Sequence, residues 1–532
     1  MSPLEFVVFL AVVSALYYLV PRKWQSAVLL CANIFYCLTV SVLCLLTLLG
    51  VTANAFFSSI VIKRNRKEQS CGECNREHIK KRRALILGLV AILFSFVLSR
   101  VLTLFVGAPS AQTGGGAAAL LGDGGGIGLA FYSLAAAGYL IDVYRGKIER
   151  ERSFLRLFLF VGFFPCIRLG PISRYHDLAP QFLSPHAPTW GNITSGGVRI
   201  LWGYFKKLVV ADTALVALNN MVSAPHKYSG GYAFFLIILY SVVIYADFTG
   251  GIDVSLGASK MLGITLAENF DRPFSSNSVR EYWKRWHITL GAFFSDYVFY
   301  PLSISKPMQR LSKRLRKSRL FGGAKRVPIY IALVATWILT GAWHSLASNH
   351  ILWGFTNAAV IIAAQEISSA RTRRQRKSAA IVVAARAQQC QERVTSATAA
   401  PKSTPAARRL CAVRTFFIIG AIRLFDLWSD PMTAMRAVAS IFLDFGGWTS
   451  FFSGGILSLG LATREWIVII CGIAIMFVVS KANFGEQHRV QRILDRHPFA
   501  TCACAAFLTL SITIFGSYGI GFEASSFIYS KF

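Results

Sequence analysis

Apolar runs of bilayer-spanning length recur along the whole chain, at 4–21, 25–62 (long enough for two), 84–107, 126–143, 153–170, 231–250, 327–343, 349–365, 411–428, 464–480 and 500–518. A helix needs about 20 apolar residues to cross the hydrocarbon core, so this pattern predicts an all-α polytopic membrane protein, one domain over 1–532, with about 11–13 transmembrane or re-entrant helices. The first run lacks a basic leading region, is followed by Pro21-Arg22-Lys23 and precedes many further spans, so it reads as a retained helix rather than a signal peptide. The stretch 193–222 is apolar but carries Arg199, Lys206 and Lys207, which predicts an interfacial or partly inserted segment.

Composition agrees: 54% of the 532 residues are hydrophobic and 15% charged, with mean hydropathy +0.50, which excludes an ordinary soluble enzyme. The formal net charge of +31 is placed in polar segments between spans. Nine basic residues lie between Lys63 and Arg83, nine between Lys306 and Arg326, and eleven between Arg371 and Arg414. That is the positive-inside pattern, so 63–83 and 302–326 read as basic cytoplasmic loops and 368–410, rich in Arg, Ala, Ser and Thr, as a flexible basic cytoplasmic linker. No basic-aromatic module accompanies the charge, so the reading is membrane lipid and topology, with no nucleic acid. The expected location is the plasma (inner) membrane, multi-pass.

Of the eleven cysteines most lie in apolar runs, where thiols pack. Cys71-Gly72-Glu73-Cys74 with His78 has half the spacing of a zinc site, without a second pair, and no metal is expected. The segment from Gly107 to Gly128 contains two Gly triplets but no following Gly-Lys-Ser/Thr, which predicts a loop rather than a phosphate cradle.

Ionisable groups in apolar surroundings are expensive and mark function more often than packing. In Tyr245-Ala-Asp-Phe-Thr-Gly-Gly-Ile-Asp253, Asp247 and Asp253 close an apolar span; metal ligation, a proton relay, helix capping and pairing with nearby basic groups are all open. From Ser278 to Leu290, helical spacing puts Arg280, Lys284 and His287 on one face and Trp283, Trp286 and Leu290 on another. This predicts an amphipathic interfacial helix whose basic stripe meets lipid phosphates or those of a cytosolic cofactor. In Trp337-Ile-Leu-Thr-Gly-Ala-Trp-His344, the histidine ends a span about one crossing beyond a basic loop and is the foremost candidate for chemistry.

These residues belong to a longer ordered series: Tyr139-Leu-Ile-Asp-Val-Tyr-Arg-Gly146, Phe163-Phe-Pro165, Gly170-Pro-Ile-Ser-Arg-Tyr175, Trp202-Gly-Tyr-Phe-Lys-Lys207, Asp247-Phe-Thr-Gly250, Asn269-Phe-Asp-Arg-Pro-Phe274, Trp283-Lys-Arg-Trp-His-Ile-Thr-Leu290 and Gly341-Ala-Trp-His344. The series resembles the membrane-bound O-acyltransferase (MBOAT) family, in its bacterial branch containing the alginate O-acetylation and D-alanyl-lipoteichoic-acid transferases. The resemblance implies a ring of helices around a central channel, His344 as the central catalytic histidine and His287 as the second. It implies no tightly bound cofactor, a cytoplasmic acyl thioester donor such as acetyl-CoA or an acyl-carrier protein, a polysaccharide or peptidoglycan acceptor, and an extracytoplasmic esterase-like acyltransferase as partner. Ser345 stands where the family usually has glycine.

Acyl transfer to a hydroxyl needs a base and a donor of hydrogen bonds to the oxyanion. His344 supplies the base, while Arg280, Lys284 and Arg285 suit anionic parts of the donor and His287 suits positioning or proton transfer. A covalent variant would use His344 or Ser345 as nucleophile. D-alanyl transfer to teichoic acid, a proton-coupled transporter and an inactive membrane scaffold are the alternative functions; no internal repeat supports the carrier.

Overall fold

The computed structural model describes residues 1–62, 71–106, 128–317, 326–389, 404–482, 493 and 497–518, with backbone alone at 71–76, 99–106, 316–317, 376–377 and 379–389. In chain order its principal helices are α1 (Pro3–Leu19), α2 (Gln25–Val40), α3 (Val42–Ile62), α4 (Cys71–Val106), α5 (Leu129–Tyr144), α6 (Phe154–Val161), α7 (Trp190–Tyr204), α8 (Asp212–Ser223), α9 (Gly231–Met261), α10 (Val279–Arg285), α11 (Ile288–Phe294), α12 (Lys306–Lys317), α13 (Val327–His344), α14 (Ser348–Gln389), α15 (Pro405–Arg423), α16 (Pro431–Leu443), α17 (Phe445–Phe452), α18 (Thr463–Ala482) and α19 (Pro498–Phe515). No β-strand occurs among the described residues. Six helices there are long and apolar enough to cross a membrane: α3, α9, α13, the Ser348–Gln375 part of α14, α18 and α19; α1, α5 and α16 are shorter apolar helices. The protein is an all-α, multi-pass membrane protein.

The chain groups into two compact units, one of Met1–Ser223, Leu239–Asp271 and Gly454–Phe532, the other of Ala224–Ile238 and Arg272–Ser453. In the first, the apolar run 25–62 divides at a single residue. Ser41 donates its backbone N–H to the Cys37 carbonyl at 3.0 Å, ending α2, and its Oγ accepts the Cys44 N–H at 3.0 Å, starting α3. The run 153–170, expected as one span, is instead broken after Val161 by Gly162 and by Pro165 in the short turn Phe164–Ile167. Buried Asn33 accepts the Phe164 N–H at 2.8 Å, satisfying a backbone donor that the break frees.

Paired glycines bring α7 against α9. A Cβ on Gly203 would lie 2.5 Å from the Gly250 carbonyl and one on Gly250 2.8 Å from that of Gly203; Gly196 and Gly257 repeat the arrangement one heptad away at 2.7 and 2.6 Å. Any side chain at these positions would push the backbones apart, so small residues set the spacing. After Tyr204 the chain widens into a π-helical segment, Phe205–Ala211, in which every residue is buried. This segment lies within the stretch expected at an interface.

In the second unit α13 and α14 form an antiparallel pair with the same device. A Cβ on Gly341 would meet the His350 carbonyl at 2.2 Å and one on Gly354 the Trp337 carbonyl at 2.3 Å. Three expectations are corrected here. The segment read as a flexible linker from 368 is helical through Gln389, its Ala, Arg and Gln being strong helix formers, and α15 begins at Pro405. The basic segment 302–326 likewise carries α12, and the helix α4 begins inside 63–83 at Cys71. The Cys71 and Cys74 side chains, most of Gly107–Gly128 and the C-terminal residues from 519 lie outside the described residues.

Candidate active site

The segment expected to form one interfacial helix is two short ones. Ser278 caps α10, its Oγ accepting the Glu281 N–H at 3.2 Å, and the helix stops where Trp286 turns extended and His287 takes a left-handed conformation, φ 48°. Such a backbone is rare outside glycine and persists only where the surroundings fix it. The surroundings are visible: Trp286 is 2% exposed and stacks on Tyr282 with ring centres 5.8 Å apart and planes 14° apart. The Arg423 guanidinium lies 3.9 Å over the Trp286 ring and donates to the Tyr282 hydroxyl at 2.8 Å. Trp286 is therefore an interior residue, not a headgroup-level anchor, and the helix break turns His287 inward as well; it is 3% exposed. Burial pushes the His287 imidazole down to about 3, so it is neutral at physiological pH.

His344 is the last residue of α13 and is buried. Trp343 lies between the two histidines, its ring 6.3 Å from His287 and 4.7 Å from His344. The two expected catalytic histidines thus share one aromatic neighbour. Beyond it, Trp353 sits 5.3 Å from His344 with its plane at 81°, and contacts Trp283 and Trp337 at 5.5 and 5.8 Å. The Trp283 indole N–H donates to Asn357 Oδ1 at 3.0 Å, while the Asn357 amide donates to the Trp353 carbonyl at 2.9 Å.

Of the three residues expected to hold a donor, Lys284 is exposed, Arg280 is exposed and donates to Gln365 Oε1 at 2.6 Å, and Arg285 pairs with Glu281 at 2.8 Å. They share α10 with each other rather than the buried pocket of the histidines. Ser345 Oγ accepts the Ala347 N–H at 3.2 Å, a turn that helps join α13 to α14.

His350, which no motif singles out, is buried and stacks on His344, centres 6.3 Å and planes 27° apart. The Asn349 amide donates to the Phe425 carbonyl at 3.0 Å, so its Oδ1 faces His350 Nδ1, 3.1 Å away. With Oδ1 as the acceptor, His350 carries a proton on Nδ1. Arg423, likewise unsuspected as part of the site, is 1% exposed. The one available signal was a basic residue at the end of an apolar helix.

The other polar concentration lies in the first unit. Asp247 and Asp253 are within α9, not at its end, which removes the capping reading and supports that of charge partners. Lys207 Nζ is 2.8 Å from both Asp247 and Asp212. Lys206 Nζ lies 2.5 Å from Asp253 and donates to Thr249 Oγ1 at 2.8 Å. Arg199 bridges Asp253 at 2.9 Å and Glu268 at 2.6 Å. The π-segment explains the register: the Asp212 N–H donates to the Lys207 carbonyl, so residues five apart stand on one face. Burial is the largest influence on both lysines; two carboxylates outweigh it at Lys207, whose pKa rises, while Lys206, with one close carboxylate and Arg199 nearby, falls. Among the described residues no group of three or more His, Cys, Asp or Glu could hold a metal ion.

Comparison with known proteins agrees with the motifs. A probable alginate O-acetylase of Pseudomonas syringae pv. tomato is 32% identical over 228 residues, 43% of this chain and 40% of that protein. The peptidoglycan O-acetyltransferase of Helicobacter pylori is 26% identical over 261 residues, 44% and 46%, and the teichoic acid D-alanyltransferase of Bacillus subtilis 25% over 244 residues, 44% and 58%. The chain spans about two fifths of the length of the alginate O-acetylase relatives it matches. Residues 146–315 match the model of the membrane-bound O-acyltransferase family, a stretch that holds the ionic network and His287 and ends before His344. By its motifs, its helical membrane architecture and this match, the segment 146–315 belongs to the membrane-bound O-acyltransferase family.

Proposed function

We propose that this protein is a bacterial inner-membrane O-acyltransferase that moves a short acyl group, acetyl as the leading candidate, from a cytoplasmic thioester to hydroxyls of a cell-envelope or secreted polysaccharide. The observation that carries this reading is the convergence of His287 and His344 on Trp343 in a buried aromatic pocket, beside a segment of acyltransferase sequence. Acetyl-CoA or an acyl-carrier protein is the donor, and an extracytoplasmic esterase-like protein is the partner that passes the group onward. Arg280, Lys284 and Arg285 form the basic edge that receives anionic parts of the donor.

In the reaction His344 takes the proton of the acceptor hydroxyl. The oxygen attacks the thioester carbonyl, a C–O bond forms, the C–S bond breaks, and the departing thiolate receives the proton. Neutral His287 orients the reactants without adding charge. The aspartates that a proton carrier would use are ion-paired in the other unit, which supports acyl transfer over transport.

The test is the alkali-labile acyl content of envelope polysaccharide from cells carrying wild-type or His344→Ala protein at equal membrane abundance, with mass spectrometry of the released acid. Loss in the variant and release of acetate are expected. Released D-alanine would redirect the substrate to teichoic acid, and equal acylation in the two strains would overturn the base assignment and favour a scaffold.

A further inference from the structure

Acyl transfer creates negative charge on the thioester carbonyl oxygen, and a histidine base does nothing to hold it. The aromatic cluster around His344 holds a donor whose chemistry is otherwise unexplained. Trp353 is 4% exposed, and its indole Nε1–H has no hydrogen-bond partner among the described residues. A buried N–H left unsatisfied costs about 1–3 kcal/mol, and native proteins keep few of them without reason. Its neighbour Trp283 shows the usual solution, donating to Asn357. Asn357 accepts from Trp283 and donates to the Trp353 carbonyl, so the amide serves the backbone of Trp353 and the indole of its neighbour.

We infer that Trp353 is the oxyanion donor of this site: its Nε1–H receives the carbonyl oxygen of the acyl thioester as that oxygen becomes negatively charged, while His344 takes the hydroxyl proton. This rests on the acyl-transfer reading with His344 as base. The ring centres of His344 and Trp353 are 5.3 Å apart with planes at 81°. The base and the donor are thus neighbours in one aromatic cluster. The indole is also pre-organised. Gly354 lets its helix touch the Trp337 carbonyl, and Trp283 and Trp337 pack edge-on against the ring, so the donor needs no reorganisation when charge develops. No proton leaves Trp353 in the step. The hydrogen bond strengthens as the carbonyl becomes an alkoxide and relaxes when the C–S bond breaks.

The experiment replaces Trp353 with benzothienylalanine, which keeps the fused-ring shape and exchanges N–H for sulfur, with Trp353→Phe as a second variant. In cells with equal membrane abundance of full-length protein, we measure the initial rate at which alkali-labile acyl groups appear on envelope polysaccharide after induction. Thermal unfolding in detergent reports the fold. The expected result is a loss of about 100- to 1,000-fold for both variants, with the benzothienylalanine protein melting like wild type. Near wild-type rates in the benzothienylalanine protein would overturn the assignment, as would a loss confined to Trp353→Phe, which would be one of packing. Retained acylation in His344→Ala instead strikes the reading on which this inference rests, so the two failures are separable.

Discussion

The chain buries polar groups in two places, and they are solved in opposite ways. In the first unit Arg199, Lys206 and Lys207 face Asp212, Asp247, Asp253 and Glu268, each cation within 3 Å of a carboxylate. In the second, imidazoles and indoles lie against one another beside Arg423, whose guanidinium lies over the Trp286 ring and donates to the Tyr282 hydroxyl. Full ions held by full counter-ions have little freedom to change charge during a reaction. An imidazole among aromatic rings, with no full counter-ion, can accept a proton and pass it on. Ionisable residues inside a membrane protein thus divide by what surrounds them, and here the ionic network braces helices while the proposed chemistry falls in the aromatic cluster.

The largest test of that division is His344→Ala. Loss of a general base is expected to cost about 100- to 10,000-fold in acyl transfer, with little change in the melting midpoint. Asp253→Ala should do the reverse, destabilising the protein by about 3–5 kcal/mol because Lys206 is left buried without its carboxylate. The double variant Lys206→Met with Asp253→Leu should recover most of that stability, since Arg199 keeps Glu268; failure to recover in detergent melts would mean the network does more than brace α7 against α9. Arg423→Met should cost about 2–4 kcal/mol, the loss of a desolvated cation–π contact and a charged hydrogen bond. Arg423→Lys should restore little of it, because an ammonium cannot lie flat on Trp286 and still reach Tyr282.

The smallest effect concerns His287. Its pKa is held at about 3 in the folded protein against an ordinary value of about 6.5, so the unfolded chain binds the proton and the folded chain does not between those pH values. Stability therefore rises with pH across that window and is lost as pH falls through it. His287→Asn should flatten the slope of melting midpoint against pH there, by an amount on the order of a few kcal/mol at the acid end. An unchanged slope would mean that His287 protonates readily, and the contrast between the two regions would lose one of its supports.

Much of this was readable from the sequence. Helix positions followed from apolar runs, and His344 stood out as an imidazole ending an apolar span, while His287 was marked by the resemblance of its motif to the family. The break at Trp286–His287 was not readable: the apolar periodicity from Ser278 to Leu290 suits one helix, and no glycine announces a left-handed residue. What holds it, Arg423, lies 141 residues from Tyr282, and what orients Asn349 lies 76 residues away at Phe425. The lysines and aspartates of the network were each visible, and pairing was among their readings. Their register was not, because it depends on a π-turn that sets Lys207 beside Asp212 and on glycines whose meaning is a close approach between chains of backbone. The basic segments were read as loops from charge alone, although Lys, Arg and Ala favour helix wherever nothing interrupts them.

The ionic network also sets a schedule for biogenesis. Lys207 is made 40 residues before Asp247 and Lys206 47 residues before Asp253. At ribosomal speeds of about 5–20 residues per second, Lys206 waits about 2–9 s for Asp253, whereas Lys207 has Asp212 within about 1 s and gains Asp247 later. Each would cost about 2.5–3.5 kcal/mol at the middle of an inserting helix. An unpaired Lys206 thus favours keeping its segment near water until α9 supplies Asp253.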